Sequence, residues 1–231
     1  MASIRFNQIA DARGSINGTV YSRGIGGLYM KNRVKPLNPQ SARQSAVRSQ
    51  LASLSSGWRA LTDAQREAWS AQADNYPATN RVGETYKPSG YQLYMTLNSN
   101  LNAVNAPIIS VPVAPKGNTA AIIDSSIMEL TAGVLTTGSV TLDTAYSADE
   151  FILIEATGGL STGISSPSSS LFKRITSDDS AAATTAFTSD YISVLGSPAV
   201  GTKVFIKVFL VDADTGQRTL IGKTSVVVTT A

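Results

Sequence analysis

The pattern of apolar and polar positions changes character twice along the chain. Residues 1–37 carry only short strand-like runs, Ile16-Asn17-Gly18-Thr19-Val20-Tyr21 and Leu28-Tyr29-Met30-Lys31, separated by the glycine-rich Gly24-Ile25-Gly26-Gly27. So few apolar residues among so many glycines do not offset the entropy of ordering them. The segment is therefore predicted to be an extended arm that orders by strand pairing, with its own C-terminal domain or with a neighbouring subunit. The glycine run lacks the Gly-Lys-Ser/Thr ending of a phosphate-binding loop and reads as a flexible bend.

Helical signals follow. Asn38-Pro39 supplies a favoured N-cap and a proline for the first helical position, predicting a helix from there to about Arg59. Val47, Leu51, Leu54 and Trp58 recur at spacings of four, three and four, one face of that helix, with Arg43, Gln44 and Arg48 elsewhere on it. Thr62-Asp63-Ala64-Gln65 has the form of a capping box and opens a second helix that carries Trp69. Ser89-Gly90-Tyr91-Gln92 repeats that logic for a third, on which Tyr94, Leu97, Leu101 and Val104 share a face and which Pro107 ends.

From Val111 the texture is different again. Val111-Pro112-Val113-Ala114-Pro115 reads as a stiff linker, and the remainder is rich in Thr, Ser, Val, Ile and Gly with no helical period. Strands are predicted at Ile127 to Thr131, Gly138 to Leu142, Phe151 to Ala156, Leu171 to Thr176, Lys203 to Val211 and Arg218 to Val228. The last two bracket Asp212-Ala213-Asp214-Thr215-Gly216 and should form a hairpin. The expected organisation is α+β: an extended basic β arm at 1–37, a small helical domain at 38–110, a linker at 111–118 and an immunoglobulin-like β-sandwich at 119–231, with no Cys pair or core Trp to support the last.

Composition narrows the chemistry. The 231 residues include no cysteine and no histidine, which excludes a thiolate nucleophile, a disulfide, a Cys/His zinc site and an imidazole base. No apolar run is long enough to span a bilayer, and the N-terminus lacks the layout of a signal peptide, so no membrane partner is expected. The net charge of +3 hides an asymmetry: residues 1–110 hold 12 Lys/Arg against 5 Asp/Glu, and residues 111–231 hold 7 against 11.

The basic residues are concentrated at the start: Arg5, Arg13, Arg23, Lys31, Arg33, Lys35, Arg43 and Arg48 stand against the single acid Asp11, with Tyr21 and Tyr29 among them. Contact with an acidic protein surface is the preferred reading, through Arg13, Tyr21, Arg23, Tyr29, Lys31, Arg33, Lys35, Arg43 and Arg48. Nucleic acid is the alternative partner.

Three short motifs have plainer readings. Asp214-Thr215-Gly216 spells the aspartic-protease tripeptide, but no second copy exists and it falls in a predicted turn. Asp212 and Asp214 alternate before a glycine as in a calcium loop, yet too few oxygen ligands follow. Ser170-Leu171-Phe172-Lys173 matches Ser-x-x-Lys, but a strand there would send the two side chains to opposite faces. No catalytic, metal or cofactor site is expected, and the chain is not read as an enzyme.

The runs Arg13-Gly14-Ser15-Ile16-Asn17-Gly18, Asn32-Arg33-Val34-Lys35-Pro36-Leu37-Asn38-Pro39, Trp58-Arg59-Ala60-Leu61-Thr62 with Gln65-Arg66-Glu67-Ala68-Trp69, and Ser89-Gly90-Tyr91-Gln92-Leu93-Tyr94 with Asn98 resemble an uncharacterised family of bacteriophage virion proteins. The resemblance covers about the first 110 residues. It implies a virion component assembled in the host cytoplasm, contacting major capsid or tail proteins and copies of itself, and it carries no catalytic residue across. Capsid decoration or a minor capsid role is the placement expected, with a neck or tail position as the alternative.

Overall fold

The computed structural model describes residues 2–3, 13–24, 27–79, 83–117, 121–178 and 182–230, and divides into two compact units, Met1–Ala46 and Val47–Ala231. Arg5, Asp11 and the tip of the glycine run at 25–26 lie outside the described residues. The chain is mixed α+β, with most of its strands in the C-terminal half.

In the first unit, β1 (Ala2–Ser3), β2 (Gly14–Ile16), β3 (Thr19–Gly24) and β4 (Gly27–Asn32) form one antiparallel sheet in the order β1-β4-β3-β2. The run Ile16 to Tyr21, read as one strand, is a hairpin: Ile16 pairs with Thr19 across Asn17-Gly18, and Asn17 sits at φ 51°. Asn followed by Gly is the residue pair such a two-residue loop favours, because both tolerate left-handed backbone. The arm's strands thus find ladder partners in one another. None of its described side chains is buried.

Helix α1 (Ala42–Ala60) begins four residues later than Asn38. Gln40 has φ 45°, which interrupts any helix from Pro39, and Ser41 caps instead, its Oγ accepting from Gln44 N at 3.4 Å. Residues 33–41 have no regular structure.

In the second unit, α2 (Asp63–Gln72) and α3 (Gly90–Ala103) start where the capping boxes place them, with Thr62 and Ser89 as reciprocal caps of Gln65 and Gln92. Between them lie a short 3₁₀ turn, Ala73–Asn75, and the two-residue strands β5 (Ala78–Thr79) and β6 (Thr85–Tyr86), which pair antiparallel. Leu54, Trp69, Leu93, Tyr94 and Leu97 make the core of this helical part. Trp69 and Tyr94 meet edge to face at 5.3 Å, an arrangement that suits the ring quadrupoles. Gly90 is required at the close approach of α3 to α2, because a Cβ there would lie 2.8 Å from Ser70 N.

Asn98, fully buried on α3, binds the returning chain: its Oδ1 accepts from Ile109 N at 2.8 Å and its Nδ2 donates to Ile109 O at 3.2 Å. Trp69 Nε1 donates to Ser110 O at 2.9 Å and Tyr76 Oη to Val113 O at 2.9 Å. These bonds satisfy polar groups that burial would otherwise strand.

Two four-stranded sheets follow. One has the order β10-β9-β12-β13, from β9 (Glu150–Ala156), β10 (Lys173–Asp178), β12 (Lys203–Asp212) and β13 (Arg218–Val227). The other has the order β11-β8-β7-β14, from β7 (Ile123–Thr131), β8 (Val134–Leu142), β11 (Thr184–Ala186) and β14 (Thr229–Thr230). Met128, Leu130 and Val140 of the second sheet share one core with Ile152, Ile154, Ile206 and Val208 of the first. Ser170 belongs to a 3₁₀ turn, Ser169–Leu171, and the strand starts at Lys173, two residues later than expected.

A helix also interrupts the strand-rich region, contrary to the reading of no helical period there. α4 (Thr188–Leu195) has only two turns, too few to register a periodicity, and it sinks Tyr191 into the core, where Tyr191 Oη donates to Thr157 O at 2.8 Å.

The outward face of β9 and β12 is covered at one end by the end of α3: Leu101, Val104 and Ala106 pack on Leu153 and Val211. With both faces covered, these two strands read as nearly continuous apolar runs, the pattern of a strand buried on both sides.

Candidate partner-binding surface

The nine residues singled out on the arm and first helix are separated by the strand register. Tyr21 pairs with Met30, so Tyr21 and Arg23 point to one face of the arm sheet. Val20 pairs with Lys31 and Ser22 with Tyr29, so Tyr29 and Lys31 point to the opposite face. Each face carries one half-buried tyrosine beside one exposed cation. Arg13 precedes β2, Arg33 and Lys35 stand on the irregular stretch, and Arg43 and Arg48 on α1; all five are exposed. No single cluster gathers all nine.

Every residue from Lys31 to Arg48 is exposed, apolar ones included: Val34 by 78%, Leu37 by 97% and Val47 by 49%. The predicted apolar stripe of α1 is covered only in its second half. Leu54 is buried and Trp58 half-buried against Tyr94 and Tyr91, whereas Val47 and Leu51 face outward.

The second unit holds a groove of about 630 Å³ that sequence reasoning did not single out. Its walls are β5 and β6, the first turns of α3 and the start of β13, and Tyr76, Pro77, Tyr86, Pro88, Tyr91 and Met95 line it beside Thr96, Asn100, Gln217 and Arg218. Tyr86 and Tyr91 are among the exposed large side chains. Burial and then the Asp212 carboxylate push the Tyr76 phenol above its ordinary value. Arg218 is held by Glu155 at 2.6 Å and by the Phe209 ring, 3.6 Å from its guanidinium carbon. Gln217 Oε1 and Arg218 Nε, however, are buried without a hydrogen-bond partner. The crowding of Tyr and Pro between residues 76 and 91 was the available signal.

Asp214-Thr215-Gly216 is the turn joining β12 to β13, as expected. Asp212 Oδ1 accepts from Asp214 N, Thr215 N and Thr215 Oγ1, and Lys116 pairs with the Asp214 carboxylate. Among the described residues, no group of three or more His, Cys, Asp or Glu could hold a metal, and no helix is long and apolar enough to cross a membrane. No protein-family model, curated protein or solved structure matches the chain.

Proposed function

We propose that this chain is a structural component of a bacteriophage particle, a head-associated decorating or minor capsid protein that works through subunit contacts made by its basic arm. The observation that carries the reading is the unbroken exposed stretch from Lys31 to Arg48, which presents Val34, Leu37 and Val47 to solvent among Arg33, Lys35, Arg43 and Arg48. Exposed apolar side chains among cations suit contact with an acidic partner surface, the apolar groups being covered and the cations paired. The strand orders β10-β9-β12-β13 and β11-β8-β7 support an immunoglobulin-like or fibronectin-like reading of the C-terminal region.

Sedimentation of the full chain beside a version lacking residues 1–37 tests the contact role. Association confined to the full chain is the expected result; identical monomers up to high concentration would remove arm-mediated self-contact. A filter-binding titration of both forms with DNA and RNA addresses the alternative, in which retention of nucleic acid would fall steeply with salt and be lost with the arm.

A further inference from the structure

Residues 111–231 are acidic as a whole, yet six of their seven Lys/Arg lie on β10, β12 and β13 of one sheet. Strand pairing sets Lys207 opposite Lys223 on one side and opposite Glu155 on the other, with Arg174 opposite Glu155 in turn. Ile206 and Val208 belong to the core, so this row of Arg174, Glu155, Lys207 and Lys223 faces outward. Glu155 is engaged by Arg218 at 2.6 Å. The other acids of these strands, Glu150, Asp178 and Asp212, keep the core-facing register at the strand ends. Like charges directly opposite one another weaken a strand pair. Among the described residues, no carboxylate stands within ion-pair distance of Lys207 or Lys223.

The two lysines line a pocket of about 340 Å³ together with Ser166, Ser169, Ser225 and Phe172, and no acid is among its lining residues. The loop that supplies the first two serines is fastened to β12. Leu160 and Lys203 exchange backbone hydrogen bonds at 2.9 and 2.8 Å, and Lys203 Nζ donates to Ile164 O at 3.4 Å. Lys207 Nζ lies 3.6 Å from the centre of the Phe172 ring, a contact that positions the ammonium and leaves N–H groups free to donate. Two ammonium groups beside serine hydroxyls are a set of donors for a group that carries one to two negative charges on several oxygens. A phosphate or sulfate group has that form, and the volume admits it either free or attached to a sugar-sized body.

We propose that this pocket binds a phosphate or sulfate group, with Lys207 and Lys223 as its two cations and the serine hydroxyls as further donors. The bound anion replaces a repulsion across the strand pair with two attractions. The site belongs to the strand-rich region and is independent of the arm-mediated reading.

Isothermal titration calorimetry of the full chain, at constant low ionic strength in chloride, tests it with inorganic phosphate, inorganic sulfate and glucose 6-phosphate, and with glucose as the neutral comparison. Saturable binding of at least one of the three anions is expected, and none of glucose; the tightest anion tells whether the group is taken free or on a sugar. Lys207→Gln and Lys223→Gln should each weaken binding about tenfold or more, the share of one charge-assisted hydrogen bond. Lys116→Gln, outside the pocket, should leave it unchanged. Thermal melts supply a second reading. Without anion, Lys223→Gln should melt no lower than the wild type, because it relieves the opposed charges. The anion should then raise the wild-type midpoint more than the variant's, the general salting effect being common to both. Absence of saturable binding to all three anions would overturn the site. So would affinities unchanged in both pocket variants, or a Lys116→Gln variant weakened as much as they are, which would reduce the effect to overall charge.

Discussion

Asn100, half-buried on α3, donates from Nδ2 to the carbonyl of Gly216 at 2.9 Å, which fixes the last helix of the helical part to the turn between β12 and β13. The turn residue must be glycine on two counts. Its φ is 70°, in the left-handed region, and a Cβ would lie 2.5 Å from Leu97 O and 3.1 Å from Leu101 Cγ. Gly216→Ala is therefore expected to destabilise the chain by about 2 kcal/mol or more, and Asn100→Ala by about 1 kcal/mol. Urea unfolding checks this: the midpoint should fall with the slope unchanged. Unshifted midpoints for both would mean that the helix–turn contact carries no stability.

The two halves of the α1 stripe should respond oppositely to truncation. Leu54 is 1% exposed within the helical core, so Leu54→Ala should cost about 2–5 kcal/mol. Leu51, one turn earlier and 46% exposed, should change stability by less than about 0.5 kcal/mol as Leu51→Ser. If this part of the stripe is a contact surface, the same Leu51→Ser variant should weaken association of the full chain while its thermal midpoint stays in place.

What the sequence disclosed and what it concealed divide along physical lines. Thr62 with Gln65 and Ser89 with Gln92 placed two helix starts because capping is a local interaction between a few neighbouring residues. The apolar spacing identified the Leu54–Trp58 face, but periodicity reports a stripe without saying how much of it is covered, and among the described residues Val47 and Leu51 stay about half exposed, at 49% and 46%. Asn38-Pro39 has the right chemistry for a cap and was displaced by Ser41, since the left-handed Gln40 decides the path. α4 was hidden by its brevity. The candidate contact residues were chosen by charge along the chain, and the strand register then placed Tyr21 and Tyr29 on opposite faces, which only pairing could reveal. The groove needed residues 76–100 and 217–218 brought together, a long-range fact that no local pattern contains.

Asp212 and Asp214 differ in everything but side chain. Asp212 is 5% exposed and its Oδ1 holds Asp214 N, Thr215 N and the buried Thr215 hydroxyl, at 3.1, 2.7 and 2.8 Å. Asp212→Ala removes three bonds at once and leaves buried donors unpaired, an expected loss of about 2–4 kcal/mol. Asp214→Ala breaks only an exposed pair with Lys116 and should leave the unfolding midpoint where it was. Equal effects of the two substitutions would contradict the turn geometry.

Tyr191 gives the fold a defined weakness in alkali. Burial pushes its phenol from 10.0 up to about 12 in the folded state. Below pH 10 both folded and unfolded chains keep the proton and the stabilising contribution is complete. Between pH 10 and about 12 the unfolded chain releases it while the folded chain does not, so stability falls as pH rises through that window. Burial raises Tyr76 and Tyr94 as well, which steepens the fall. Tyr191→Phe cannot ionise, so its stability should decline less from pH 10 to 12. At neutral pH it should be about 1 kcal/mol less stable, because Thr157 O loses the donor now 2.8 Å away. Chemical denaturation of the two proteins at closely spaced pH values gives both quantities. Parallel curves would mean that Tyr191 titrates alike in the folded and unfolded chains, and that its enclosure by α4 and the two sheets is loose enough to admit water.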